Sequence, residues 1–433
     1  MGAAKVYIET YGCQMNEYDS EIVRGILTSR GHALTDNLDE ADTIFLNTCS
    51  VRENAHQRVL KRIEMLRASK NGNGGVTIGV LGCMAQALKQ QLLEEGVGVD
   101  IVAGPDSYRR LPELLAEVRE LGQPGAELVP DKFETYSDLF PTTQTGKVNA
   151  WISVMRGCDN YCTFCIVPYT RGRERCREPE NVLEEARALA ASGYKQITLL
   201  GQNVNSYRHG QHDFAALIHE ISNIDGIERI RFTSPHPKDF PERLIGVVAK
   251  NRKACKHIHL PAQSGNSRVL KMMNRTYDRE EFLALAHKMR SEIPNLALST
   301  DVIVGFPTET RAEFEETLSL MREVEFDSAF MFKYSERPGT TAAKKFPDDV
   351  SDEEKTERIT RLVDLQREIG LKRNQAHLGE TFEVLVEGPA KKSGQLMGRT
   401  DGNKIVVFPD QGQLPGDFVS ITISEVTPNT LIA

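Results

Sequence analysis

Positive charge is what this chain is short of. Its 433 residues carry 53 Lys and Arg against 61 Asp and Glu, a net charge of −8. That balance excludes attachment to nucleic acid by bulk charge and leaves only a local basic face for such a partner. Eight cysteines are too few for a small disulfide-stapled secreted scaffold. No apolar run approaches the roughly 18 residues that cross a bilayer, so no membrane partner is expected. The opening Met-Gly-Ala-Ala-Lys-Val has no signal-peptide core, and Val6 stands where a myristoylation pattern wants Ser or Thr. A cytoplasmic, reducing setting is expected, where grouped cysteines signal metal or redox chemistry. The composition is 40% hydrophobic and 26% charged, that of a folded globular chain, and the length predicts about three domains.

Three domains are also what the patterning gives. Over 1–121 short apolar runs, Lys5–Glu9, Thr43–Asn47, Val76–Leu81 and Asp100–Ala103, alternate with helical stretches such as Asp19–Arg30 and Arg52–Ser69. This is the signature of an open parallel α/β sheet. Residues 122–146 are polar and turn-rich and read as a linker. From Lys147 to about 370 the rhythm restarts with strands at Val148–Met155, Gln196–Leu200, Arg229–Thr233, Lys256–Leu260, Ala297–Val304 and Ser328–Lys333, closed by a helix from Ser351 to about Asn374. Six units predict a partial (β/α)6 barrel. From 371 to the last residue, alternating runs around the turns Asp401-Gly402 and Pro415-Gly416 predict a small all-β barrel.

The strongest chemical signal is Cys158, Cys162 and Cys165, a C-x3-C-x2-C run just after the first barrel strand. Three thiolates from one loop can hold three corners of a cubane and leave one iron open. Zinc would want a fourth nearby ligand, and the nearest thiol, Cys176, lies beyond an arginine run. Cys13, Cys49 and Cys83 are 36 and 34 residues apart, too far for a local motif. Each falls within four residues of the end of a predicted strand, and the carboxyl ends of a parallel sheet share one edge where ligands bind. Three convergent thiols again imply a cluster with an open iron, where exogenous sulfide could bind. Unrelated buried cysteines would be the alternative. Cys176 and Cys255 are assigned no ligand role.

The cysteine loop at the head of a partial barrel resembles the radical S-adenosylmethionine enzymes. Thr10-Tyr11-Gly12-Cys13-Gln14-Met15-Asn16, Asn47-Thr48-Cys49, Gly82-Cys83-Met84-Ala85-Gln86, Val167 to Glu174 and Leu200 to Tyr207 extend the likeness over essentially the whole chain to the methylthiotransferase family. The tail is similar to a TRAM domain. The resemblance implies two [4Fe-4S] clusters and S-adenosylmethionine, used once as methyl donor and once as the source of a 5′-deoxyadenosyl radical. It implies methylthiolation of carbon 2 of N6-isopentenyladenosine at position 37 of tRNA. Methylthiolation of threonylcarbamoyl-adenosine in tRNA, or of a ribosomal-protein aspartate, stays open, as does a non-catalytic iron–sulfur scaffold.

Polar loops follow each barrel strand, and Gln202, Ser234, Gln263, Arg275 and Asp301 are expected near the cofactor. The partner expected is a tRNA anticodon loop, whose unstacked base can enter a closed pocket. Its phosphates are assigned to Arg171, Arg173, Arg175 and Arg177, and to an edge of the last domain carrying Lys391, Lys392, Arg399 and Lys404. An electron donor such as flavodoxin or ferredoxin, sulfur and iron–sulfur assembly proteins, and a monomeric state complete the expectation.

Overall fold

The computed structural model describes residues 3–49, 53–70, 75–94, 97–139, 141 and 148–433. Arg52, Lys147 and the end of the expected linker lie outside the described residues. The chain divides into two compact units, one of residues 1–143, 153–161 and 165–181, the other of 144–152, 162–164 and 182–433.

The first unit is built on a six-stranded sheet of β1 (Lys5–Tyr11), β2 (Ala33–Leu34), β3 (Thr43–Thr48), β4 (Thr77–Gly82), β5 (Ile101–Ala103) and β6 (Gly125–Glu127), in the order β2-β1-β3-β4-β5-β6. Every pairing is parallel. β3 and β4 are buried along their whole length, as expected of central strands covered on both faces. Helices α1 (Gln14–Ser29), α2 (Glu53–Lys70), α3 (Cys83–Leu88) and α4 (Leu111–Leu121) make the connections. A short α5 (Val167–Arg171) also belongs to this unit. β6 lies inside the stretch read as a linker, and β2 went unread: edge strands of two or three residues are too short to carry a period.

In the second unit six strands form two three-stranded sheets, parallel in the pairings Gln196–Leu200 with Arg229–Phe232, His257–His259 with Ala297–Val304, and Ala297–Val304 with Ser328–Lys333. One runs Arg229–Phe232, Gln196–Leu200, Asn149–Ser153, and the other His257–His259, Ala297–Val304, Ser328–Lys333. An isolated parallel bridge between Ile230 and Ala254 lies between them in the chain. The helix Asp352–Gln375 starts on Ser351, whose side chain accepts from the Glu354 N–H. The final sheet (Thr381–Pro389, Gln395–Arg399, Ile405–Pro409, Phe418–Thr422, Glu425–Val426, Thr430–Ile432) is antiparallel except where Ile405–Pro409 meets Thr430–Ile432. Its own core is Val384, Val386, Leu396, Val406, Phe408, Ile423 and Leu431. It is joined to the barrel by charge-assisted bonds. Arg229 Nη1 donates to the Arg399 carbonyl at 2.6 Å, and Arg231 Nη2 to that of Thr400 at 2.7 Å.

Candidate iron–sulfur and cofactor sites

Strand register brings the distant cysteines together. Tyr11 pairs with Thr48 and Thr48 with Gly82, so β1, β3 and β4 end level. Cys13, Cys49 and Cys83 follow those ends by two, one and one residues. Buried amides tie the ends to each other. Asn16 Nδ2 donates to the Thr48 carbonyl at 3.1 Å, Asn47 Nδ2 to that of Asn16 at 2.9 Å, and Thr48 Oγ1 to that of Leu81 at 2.7 Å. Gly12 allows the approach, since a Cβ there would stand 2.8 Å from the Cys49 Cβ. Gly82 turns with φ +88°, where a side chain would meet Asn47 and the Thr48 carbonyl at 2.6 Å.

The three thiols differ in character. A hydrogen bond from Cys49 draws the Cys13 thiol down to about 6, whereas burial pushes Cys83 up against the opposing pull of the Arg171 charge. Arg171 Nε donates to Cys83 Sγ at 3.2 Å. Among the described residues no three His, Cys, Asp or Glu side chains form a group that would hold a single metal ion. Three soft thiols along one strand edge, with a buried cation beside them, suit the larger and anionic guest that a cubane is.

The arginine run does not face solvent as the sequence suggests. Arg171 and Arg177 are buried, at 3% and 0% exposure. Arg171 pairs with Asp19 at 2.8 Å, and Arg177 donates to Tyr18 Oη at 3.1 Å and to the Ser153 carbonyl at 3.0 Å. Arg175 makes a two-pronged bond to Asp106, both contacts at 3.0 Å. Only Arg173 is exposed, bonded to Asp159 at 3.1 Å. The expectation that the run binds phosphate therefore fails for Arg171, Arg175 and Arg177: they are turned inside the unit, Arg171 and Arg175 onto the distant acids Asp19 and Asp106 and Arg177 onto Tyr18 and the Ser153 carbonyl. In the last domain, Lys391 and Lys392 are exposed, while Arg399 is half-buried against Glu387 at 3.1 Å and Lys404 pairs with Asp327 at 2.8 Å.

The loop of Cys158, Cys162 and Cys165 is split between the units, the outer two thiols in the first and Cys162 in the second. In the first, the Cys158 N–H donates to the Gly172 carbonyl at 3.1 Å. In the second, Thr163 is held by Met272, Met273 and Ala342, and Arg275 Nη1 donates to Cys162 Sγ at 3.2 Å. Arg275 is thus placed against the middle thiol of the loop, with Tyr277 Oη at 2.8 Å from its Nε and the Pro261 carbonyl at 3.2 Å from Nη2. Ser234 and Gln263 adopt left-handed backbone, φ +59° and +69°, in the loops that follow Arg229–Phe232 and His257–His259, a strain that clusters at ligand sites. Gln263 is buried and its N–H donates to the Asp301 carbonyl at 2.8 Å. Asp301 reaches His259 Nε2 at 3.2 Å, and Gln202 is half-buried. Cys176 lies in a short strand opposite Met155, and Cys255 is buried, its thiol pushed up to about 11. A cavity of about 1200 Å³ in the second unit opens instead at the amino ends of the strands, beside Arg229, Ala297 and Thr381.

Sequence reasoning missed Asp19 and Arg156. Asp19 is fully buried and takes Arg156 Nη1 at 2.9 Å on one oxygen and Arg171 on the other. A signal was present, because Asn16, Asp19, Ser20 and Val23 fall at i, i+3, i+4 and i+7 and so share the inward face of α1.

Three family models match: Radical SAM superfamily at 152–321, Uncharacterized protein family UPF0004 at 5–104, and TRAM domain at 375–433. Among solved structures, the radical S-adenosylmethionine methyltransferase TsrM from Kitasatospora setae aligns with a TM-score of 0.58 at 15% identity, covering 78% of this chain and 75% of that one. The radical enzyme OxsB aligns with a TM-score of 0.54 at 14% identity, over 83% and 56%. At such identities the likeness is one of fold. The fold and the cysteine loop define a radical S-adenosylmethionine enzyme, with [4Fe-4S] clusters and S-adenosylmethionine as cofactors.

The particular family follows from curated relatives named tRNA-2-methylthio-N(6)-dimethylallyladenosine synthase. The protein of Porphyromonas gingivalis is 49% identical over 99% of this chain and 94% of its own length. Those of Phocaeicola vulgatus and Chloroherpeton thalassium are each 48% identical over 99% and 95%. The chain belongs to the tRNA-2-methylthio-N(6)-dimethylallyladenosine synthase family. Among the described residues no helix is long and apolar enough to cross a membrane.

Proposed function

We propose that the chain attaches a methylthio group to carbon 2 of N6-isopentenyladenosine at position 37 of tRNA. The observation that carries this reading is the level ending of β1, β3 and β4, which sets Cys13, Cys49 and Cys83 on one edge in a chain that has a separate C-x3-C-x2-C loop. Cys158, Cys162 and Cys165 hold the radical-generating cluster, and the strand-edge triad holds the auxiliary one. When bound, these groups and S-adenosylmethionine supply the radical and the sulfur chemistry that an aromatic C–H requires, since it is too weakly acidic for a protein side chain to take its proton.

The residues of the chain bind and orient. Arg275 fixes Cys162 through its donated bond. Gln202, Ser234 and Gln263 follow the carboxyl ends of barrel strands, where barrel enzymes keep their ligands, and Asp301 lies within Ala297–Val304 beside Gln263. Exposed Arg173, Lys391 and Lys392 are the cations offered to the anticodon-loop phosphates. A flavodoxin or ferredoxin supplies electrons and iron–sulfur assembly proteins load the clusters of a monomer in the cytoplasm.

The test is anaerobic incubation of reconstituted protein with reductant, S-adenosylmethionine and tRNA bearing or lacking the isopentenyl group, followed by nucleoside mass spectrometry. The reading expects 5′-deoxyadenosine and the 2-methylthio nucleoside, the latter on prenylated tRNA alone. Product on threonylcarbamoyl-adenosine instead, or no product from any tRNA, overturns it.

A further inference from the structure

Three buried charges stand behind the strand-edge thiols. Asp19 carries one negative charge and contacts two guanidinium groups, Arg156 at 2.9 Å and Arg171 at 2.8 Å, with the Tyr108 hydroxyl donating to it at 3.3 Å. All four side chains are essentially removed from water, Arg171 being the most exposed at 3%. The group therefore holds one more positive charge than negative, and an uncompensated charge in such surroundings is strongly unfavourable unless an anion lies beside it. The group that meets the remaining edge of Arg171 is a sulfur, which turns anionic once it ligates iron: Arg171 Nε donates to Cys83 Sγ at 3.2 Å. Arg171 Nη1 has no hydrogen-bond partner among the described residues, which leaves a further donor on the same guanidinium. Arg156 makes no such contact. Its other bond goes to the Pro105 carbonyl at 3.2 Å.

We propose that Arg171 is a positioning residue of the auxiliary cluster, held by Asp19 so that its positive charge rests on the Cys83 sulfur and makes the cluster easier to reduce. The inference rests on the proposed ligand role of Cys13, Cys49 and Cys83. Hydrogen bonds to cluster sulfurs and nearby positive charge stabilise the reduced state, in which the cluster has gained one electron, and so raise its potential. The placement also makes sense of the arginine run, whose first member ends the helix α5 that begins two residues after Cys165.

The experiment uses full-length chain in a Cys158/Cys162/Cys165→Ala background, reconstituted so that one cluster remains, with potentiometric titration followed by electron paramagnetic resonance and iron analysis. Arg171→Gln is expected to shift the midpoint to a more negative potential. Arg171→Lys, which keeps the charge, should fall between that variant and the parent. Arg156→Gln removes the other cation from Asp19 but leaves the sulfur contact, and should titrate like the parent. An unchanged midpoint in both Arg171 variants, or an equal shift in Arg156→Gln, overturns the proposal. If Arg171→Gln fails to fold, the Arg171→Lys and Arg156→Gln pair still decides it. A parent background that holds no cluster at all refutes the ligand reading of the strand-edge triad instead.

Discussion

Arg275 donates to the sulfur of Cys162 at 3.2 Å while its own Nε is tied to Tyr277 at 2.8 Å. Buried arginine thus meets thiol in both units, as Arg171 does at Cys83. Charge-assisted bonds of this kind contribute about 1.5 to 3 kcal/mol when buried. Arg275→Gln should therefore lower the iron retained by the Cys158, Cys162 and Cys165 site. Tyr277→Phe, which removes one hydroxyl, should retain more. Iron analysis after gel filtration reads the difference, and equal retention in both variants would remove Arg275 from the site.

Cys13 and Cys83 should react differently in the metal-free protein. With its thiol drawn to about 6, Cys13 is largely thiolate at neutral pH, and it is exposed. Cys83 is buried and its thiol is pushed up. Only the thiolate is the nucleophile. Timed iodoacetamide labelling with peptide mass spectrometry should show Cys13 modified first, with half-maximal rate near pH 6 rather than near the ordinary thiol value.

The turn before the cysteine loop depends on a missing side chain. Gly157 has φ +80°, and a Cβ there would lie 1.9 Å from the Arg173 carbonyl oxygen. Gly193 has a similar φ of +89° with nothing within 4 Å. Gly193→Ala should cost about 1 kcal/mol, the conformational penalty alone. Gly157→Ala adds a backbone collision and should cost about 3 kcal/mol or more. Urea denaturation of the two variants measures the gap.

His236 gives the second unit a pH dependence. Burial, followed by the charges of Arg275 and Lys238, lowers its pKa from 6.5 to about 2. The fold keeps the ring neutral, while the unfolded chain takes up a proton below 6.5. Stability from this residue is thus complete above that pH and is lost as pH falls toward 2. Between pH 7.5 and 5 the loss attributable to it is about 2 kcal/mol. His236→Asn should flatten that part of the profile in urea titrations at the two pH values.

The features legible in the sequence were those with local periodicity or local spacing. Ala297–Val304 and Ser328–Lys333 carry enough apolar residues for their limits to be read directly, and the strand-end phase of Cys13, Cys49 and Cys83 follows from the same pattern. What escaped depends on partners distant in the chain. Arg171 looks like a solvent-facing cation until Asp19, 152 residues earlier, is seen to hold it. Arg175 is likewise spent on Asp106, 69 residues away. β6 carries only Gly125-Ala126-Glu127 and takes its place from pairing with β5 rather than from any propensity of its own.

The central claim is that six thiols act as two separate triads. It is tested by counting iron in two anaerobically reconstituted variants, Cys13/Cys49/Cys83→Ala and Cys158/Cys162/Cys165→Ala, beside the unaltered chain. The account predicts roughly eight irons per unaltered chain and roughly four in each variant, each with its own paramagnetic signal on reduction. Loss of both clusters from either variant, or full iron content in either, would contradict it.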